Sequence, residues 1–224
     1  GMDRAFGKLR RELRSLGIER DTLLWYCSDN GGLDSNTSGG RGKKGQIYEG
    51  GLRVPAILEW PDRIPQHQVS DVPCCTSDIY PTILELLGLQ MQDQPTLDGI
   101  SLVPLIEQKM NSRPSPIGFW EHPTRGRGIP SAEWMSQLLE AQKTGKKLPD
   151  KESRLRLDAG KIDKQYPLDH FPGHAAWLDW PWKLHRIRNE QNCLTLELYN
   201  LPEDPNEKNN IADENSDRVK AMKL

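Results

Sequence analysis

An apolar run that stops at a polar, glycine-rich corner limits most strongly what this chain can fold into. Residues 22–27, Thr22-Leu23-Leu24-Trp25-Tyr26-Cys27, read as a buried strand, and Ser28-Asp29-Asn30-Gly31-Gly32 follow at once. An α/β sheet presents oxygen ligands in this manner, at the carboxyl end of a strand, where such sheets carry their sites. The glycines let backbone and ion approach closely. A second block lies downstream, Gly45-Gln46-Ile47-Tyr48-Glu49-Gly50-Gly51-Leu52-Arg53-Val54-Pro55. Taken alone, Asp29-Asn30 suits a metal-ligand pair and a plain glycine-rich loop about equally well.

In this order, the two blocks resemble the S-D-N-G and G-K-G-x-x-Y-E-G-G-x-R-V-P signatures of sulfatases, a branch of the alkaline phosphatase superfamily. Three further segments carry the resemblance. Asp78-Ile79 with Pro81-Thr82 matches S-x-x-D-I-x-P-T-x-L-x-L-x-G, and Asp98-Gly99-Ile100-Ser101-Leu102-Val103-Pro104-Leu105 matches D-G-x-S-L-x-P-L. Leu198-Tyr199-Asn200-Leu201, Asp204-Pro205, Glu207 and Asn210-Ile211-Ala212 resemble E-L-Y-D-L-x-x-D-P-x-E-x-x-N-L-A. The likeness covers nearly all of the chain but only the C-terminal half of a sulfatase, closest to N-acetylgalactosamine-6-sulfatase-type and arylsulfatase-type members.

The resemblance implies a site. Asp29 and Asn30 would bind calcium, and Lys44 would contact the sulfate as a compact cation that offsets charge when the S–O bond breaks. Its rival reading is a solvated loop lysine like Lys43. His122, in a Trp-Glu-His context, is a candidate catalytic acid and sugar contact, with a surface or core-edge histidine as the alternative. His174 is a second candidate sugar contact. Trp177, Trp180 and Trp182 offer faces to a sugar or pack a strand. Glu49 and Arg53 are expected to brace a turn.

The family's nucleophile is the Cys or Ser of C/S-x-P/A-x-R, converted to formylglycine, whose hydrate attacks sulfur. No Arg stands four residues after Cys27, Cys74, Cys75 or Cys193, or after any serine. Formylglycine has no site in this chain. Calcium takes about six to eight oxygens, so two ligands make half a site, with weak binding or none. The expected function is that of the C-terminal portion of a sulfuric ester hydrolase for a sulfated saccharide or aryl sulfate ester, inactive alone. Two alternatives stand beside it: a non-catalytic binding or assembly module, or truncated gene product; and a phosphoester hydrolase of the same superfamily.

Strand and helix patterns alternate up to residue 110, which predicts a parallel, helix-covered sheet. Residues 3–16 read as an amphipathic helix closed by Gly17, residues 132–144 as another helix, and residues 145–175 as loop or insertion. Two alternating runs, 182–187 and 194–201, read as antiparallel strands with a turn at residues 189–192. The expected fold is an incomplete α/β/α sandwich with a mostly parallel sheet, plus a small C-terminal antiparallel sheet and helix. Its parts would be residues 1–115, the C-terminal part of the core; 116–176, an insertion and pocket region; and 177–224, the small subdomain.

Composition narrows the partners. The net charge of −2 over 224 residues makes no electrostatic case for nucleic acid. No transmembrane-length apolar run and no signal peptide stands in the sequence, although the family resemblance implies periplasmic or secreted proteins. Gly1 before Met2 looks like an expression-tag scar. No C-x-x-C spacing suggests a zinc site, and the four cysteines make no disulfide framework. With the family's N-terminal strands missing, bare sheet edges are expected to bring about a homo-oligomer or to pair with a separate N-terminal half.

Overall fold

The computed structural model describes residues 1–35, 39–92, 94–121, 131–145, 173–189 and 191–222. The first helix, α1 (Met2–Ser15), ends in a Schellman motif, with Gly17 at φ 70°. Ile18 N–H reaches Leu13 O at 3.1 Å and Gly17 N–H reaches Arg14 O at 3.0 Å, closing orphan carbonyls of the last turn. The helix lies along a two-stranded sheet of β1 (Leu24–Cys27) and β2 (Ala56–Glu59). Phe6 packs edge-on against Tyr26 at 5.4 Å, and Arg10 bonds Glu59 at 2.8 Å.

The strands pair antiparallel, from Leu24 opposite Glu59 to Cys27 opposite Ala56. The α/β class holds, but no parallel pairing occurs among the described residues. The physical cause lies between the strands. A parallel neighbour needs a crossover, usually a full helix. Here the connection holds only the four-residue α2 (Glu49–Leu52). Gly31 N–H donates to Gly51 O at 2.9 Å, so the end of β1 lies beside the start of β2. The alternating patterns could not reveal so short a connecting helix.

Asp78 organises the next segment, at the end of a 3₁₀ turn (Thr76–Asp78) that leads into α3 (Ile79–Leu87). Its buried carboxylate accepts from Cys75 N–H and Ile100 N–H, each at 2.8 Å, and from both arms of the Arg113 guanidinium at 2.8 and 2.9 Å. Burial alone would push this carboxyl up; the Arg113 fork and the two amides outweigh it and hold it below the usual carboxylate range. Thr82 Oγ1 accepts from Leu102 N–H at 2.9 Å, tying α3 to the start of α4 (Val103–Ile106). The D-I-x-P-T and D-G-x-S-L segments are therefore two halves of one hydrogen-bonded unit.

The small sheet has four antiparallel strands in sequence order: β3 (Ile117–Trp120), β4 (Gly173–Asp179), β5 (Trp182–Arg188) and β6 (Leu194–Asn200). It draws on residues from both the expected insertion region and the expected small subdomain. Between β3 and β4 stands α5 (Ser131–Thr144), where a helix was expected; most of the expected loop of residues 145–175 lies outside the described residues. In the β5–β6 turn, Asn189 Oδ1 accepts from Gln191 and Cys193 N–H. After the sheet comes α6 (Ser216–Met222).

Register decides the faces of this sheet. Leu184 opposite Leu198 and Trp177 opposite Leu184 share one face. This face packs on Ala212, Val219 and Met222. On the other face, Lys183 stands opposite Tyr199, His185 opposite Glu197, and Leu178 opposite Lys183. Trp177 and Trp182 are half-buried against the first core, so the packing reading of these two indoles holds, while Trp180 remains exposed. The cysteines are free thiols, Cys74 and Cys193 exposed and Cys27 and Cys75 half-buried.

Candidate functional site

The two sequence blocks meet in space through their backbones. Lys44 N–H donates to Gly32 O at 2.8 Å, Gly31 N–H to Gly51 O at 2.9 Å, and Gly50 N–H to Arg41 O at 2.7 Å. These bonds weave residues 31–32, 40–46 and 49–51 into one loop cluster beyond the carboxyl end of β1. The glycines are a steric demand of the weave. A Cβ on Gly31 would collide with the carbonyl oxygen of Gly50 and lie 2.9 Å from Gly51 Cα, and one on Gly51 would lie 2.6 Å from Lys43 O. Backbone packs here directly on backbone.

Asp29 and Lys44 are exposed on this cluster, and Asn30 is half-buried. Asn30 Nδ2 donates to Asp29 Oδ2 at 2.6 Å. The Lys44 ammonium has no carboxylate partner among the described residues, so it is open to an anion from solvent. The fit to calcium is incomplete. Asp29 and Asn30 supply few of the oxygens the ion requires. Among the described residues, no group of three or more His, Cys, Asp or Glu side chains could hold a metal.

His122 lies outside the described residues. The residue before it, Glu121, donates its N–H to His174 O at 2.8 Å, at the end of β3. His174 is only 8% exposed, and its Nε2 lies 2.8 Å from His185 Nδ1. The structure thus gives His174 an internal partner.

Beneath the loop cluster is a buried polar network that alternation alone did not reveal. Lys183, fully buried, reaches Glu49 at 2.7 Å and Glu207 at 3.0 Å. Glu207 accepts from Glu49 N–H at 2.6 Å and lies 2.7 Å from His185 Nε2. Beside it, Glu197 Oε2 takes hydrogen bonds from Tyr48 OH at 3.0 Å, Tyr199 OH at 2.9 Å and Arg41 at 3.0 Å. The Arg41 guanidinium also stacks over the Tyr48 ring, 4.0 Å from its centroid. Arg41, Tyr48 and Glu49 come from the loop cluster; the other members come from the C-terminal sheet and the segment after it. Glu49 therefore braces the turn, as expected from sequence, by docking it onto β5.

Burial acts on each titratable group and partners decide the outcome. Burial pushes Glu207 up, but His185, Lys183 and the Glu49 amide outweigh it and hold it ionised. Burial lowers His185 against the pull of Glu207. Burial, then the neighbouring His185, pushes His174 down to about 4. A neutral His185 carries one ring proton. With Glu207 ionised, that proton sits on Nε2, and Nδ1 accepts from the His174 Nε2–H. Burial and the Glu197 charge raise both phenols, Tyr48 and Tyr199, so they remain donors. The network is satisfied internally, and its chemistry is to hold a loop in place.

Residues 1–89 match the family model for Sulfatase. The chain is 36% identical over 119 residues to steryl-sulfatase of Homo sapiens, covering 48% of this chain and 20% of that protein. It is 35% identical over 121 residues to N-acetylgalactosamine-6-sulfatase of Mus musculus, covering 50% of this chain and 23% of that one. The chain thus spans about a fifth of the length of these curated relatives. A solved structure, BT4656 in complex with its substrate D-glucosamine-2-N,6-O-disulfate, superposes with TM-score 0.63 at 21% identity, over 98% of this chain and 36% of that one. This chain is a relative of the sulfatases that carries part of their domain, in the sulfatase α/β fold.

Proposed function

We propose that this chain supplies the C-terminal portion of a sulfuric ester hydrolase for sulfated glycans. The observation that supports this reading is the bond from Lys44 N–H to Gly32 O at 2.8 Å, two residues beyond Asn30, with the Lys44 side chain exposed. Lys44 would meet a sulfate oxygen. Asp29 and Asn30 would contribute to a calcium site completed by ligands from elsewhere in a whole sulfatase domain. His122 is assigned to the leaving-group oxygen or the sugar, while His174 takes part through the buried network. The glycan assignment draws support from the N-acetylgalactosamine-6-sulfatase relative and from the disulfated glucosamine in the BT4656 structure. We also assign the protein to an exported compartment, as the family resemblance implies; no helix among the described residues is long and apolar enough to cross a membrane.

Sulfate-ester cleavage requires a nucleophile, a cation for the developing charge, and an acid for the leaving oxygen. The formylglycine nucleophile has no candidate position in this sequence, so the chain by itself is expected to hydrolyse no sulfate ester. The test is an assay of the 224-residue chain on an aryl sulfate and a 6-sulfated sugar, alone and co-expressed with a sulfatase N-terminal half carrying C-x-P-x-R. Activity is expected only in the second arm, and should be lost in Lys44→Ala and Asp29→Ala. Hydrolysis by the chain alone would overturn the reading.

A second reading, an assembly module, is favoured by exposed apolar side chains near β1 and β2. Ile57 is 60% exposed and Leu33 80% exposed. Uncovered apolar surface of this kind promotes association with another chain or a second copy. Light scattering at rising concentration separates the readings; a clean monomer at high concentration would remove the self-association.

A further inference from the structure

The Glu49–Lys183–Glu207 cluster joins the C-terminal sheet to the loop that carries Lys44, although none of its members belongs to the expected site. Lys183 and Glu207 are fully buried, Lys183 within β5 and Glu207 after β6. Glu207 grips the loop twice, through the Glu49 backbone N–H at 2.6 Å and through shared contact with Lys183, which reaches the Glu49 side chain at 2.7 Å. Glu207 sits at φ 52°, a left-handed conformation that non-glycine residues seldom adopt. Glu49 opens α2, and α2 supplies Gly50 and Gly51, the two glycines that bond Arg41 and Gly31. One short path of hydrogen bonds therefore runs from β5, through Glu49 and Gly51, to Gly31 beside Asn30. From Gly32, the next residue, a bond returns to Lys44.

We propose that Glu207 and Lys183 are positioning residues: they act through Glu49 to set where Lys44 and Asn30 stand, so the C-terminal sheet controls the anion-facing loop from below. The functional meaning rests on the reading of Lys44 as a sulfate contact; the coupling itself does not. The arrangement suits this task better than simple stabilisation. A sheet packed on this loop by apolar contacts alone could slide, whereas a buried charge pair and an amide–carboxylate bond specify one register.

The test uses the full chain and amide hydrogen exchange. Glu49→Gln removes the loop-side charge and leaves Lys183, Glu207 and His185 together in the sheet. Exchange at the Gly31, Lys44 and Gly50 amides is expected to rise at least tenfold, while amides between β5 and β6 keep their protection. Glu207→Gln should raise exchange at the same loop amides by more. Should Glu207→Gln fail to fold, Glu49→Gln alone decides. Loop exchange unchanged in Glu49→Gln would overturn the proposal. So would an equal rise in loop and sheet, the mark of a general loss of stability. A separate titration of the unaltered chain with inorganic sulfate, followed at the Lys44 amide, tests the anion reading: no shift there sinks that reading and leaves the coupling standing.

Discussion

The two ends of this chain are built to different degrees of completeness. In the N-terminal region, α1 buries no residue, β1 is only half-buried throughout, and Leu9 on the helix's apolar side is 43% exposed. In the C-terminal sheet, Leu198 and Lys183 are fully buried, and both faces are covered, one by α6 and the other by the loop cluster. The contrast shows that an amphipathic pattern is a request for a partner surface. The C-terminal strands find theirs inside this chain. In the α1–β1–β2 layer, Leu9 and Ile57 stay exposed to solvent.

The comparison can be broken by substitution. The largest effect is expected at Arg113, in the segment joining the two regions. Arg113→Met strands the buried Asp78 carboxylate and should cost about 3–5 kcal/mol in urea denaturation; a loss under about 1 kcal/mol would show that Asp78 is rescued by water. Leu198→Ala in the closed sheet should cost about 2–5 kcal/mol. Leu9→Ala on the open helix should stay within about 0.5 kcal/mol. If these two variants melt alike, the difference in completeness carries no energetic weight.

Acid should separate the regions next. His174 has its folded value pushed down to about 4, against an ordinary 6.5 when unfolded. Between those values the unfolded chain binds a proton that the folded sheet does not, so stability falls as pH falls from 6.5 to 4 and levels off below. One such histidine contributes about 1.4 kcal/mol per pH unit within the window. Far-ultraviolet and tryptophan-fluorescence melts at pH 7 and pH 4.5 should show the loss, and His174→Gln should reduce it, leaving the share that the buried His185 contributes in the same direction. Gly31→Ala, finally, is expected to cost about 1–3 kcal/mol by overpacking the loop weave, with sheet exchange rates unchanged. A neutral result would mean that the loops part easily.

Much was legible beforehand. Gly17 ends α1 as expected, because a left-handed cap is what glycine permits. Of the small sheet, β5 and β6 followed from alternation, whereas β4 begins inside the expected loop of residues 145–175. The α/β class is legible, but the antiparallel pairing seen among the described residues is not, because strand and helix patterns do not reveal how far a connection travels. The buried network was missed for a related reason. Lys183, His185, Glu197 and Tyr199 fall on one face of their strands by period-two spacing, the pattern normally read as the solvent side.

By itself the sequence determined local and periodic features: where strands and helices run, which residues share a face, and where glycine must stand for backbone to cross backbone. These depend on neighbours within a few positions. Only the tertiary structure decided what covers each face. Lys183 is buried because Glu49, from a loop 134 positions earlier, and Glu207 arrive above it and replace its water. A lysine in a strand is equally content in solvent or in such a cage. The choice between them depends on charges far away in sequence, and no local pattern records their arrival.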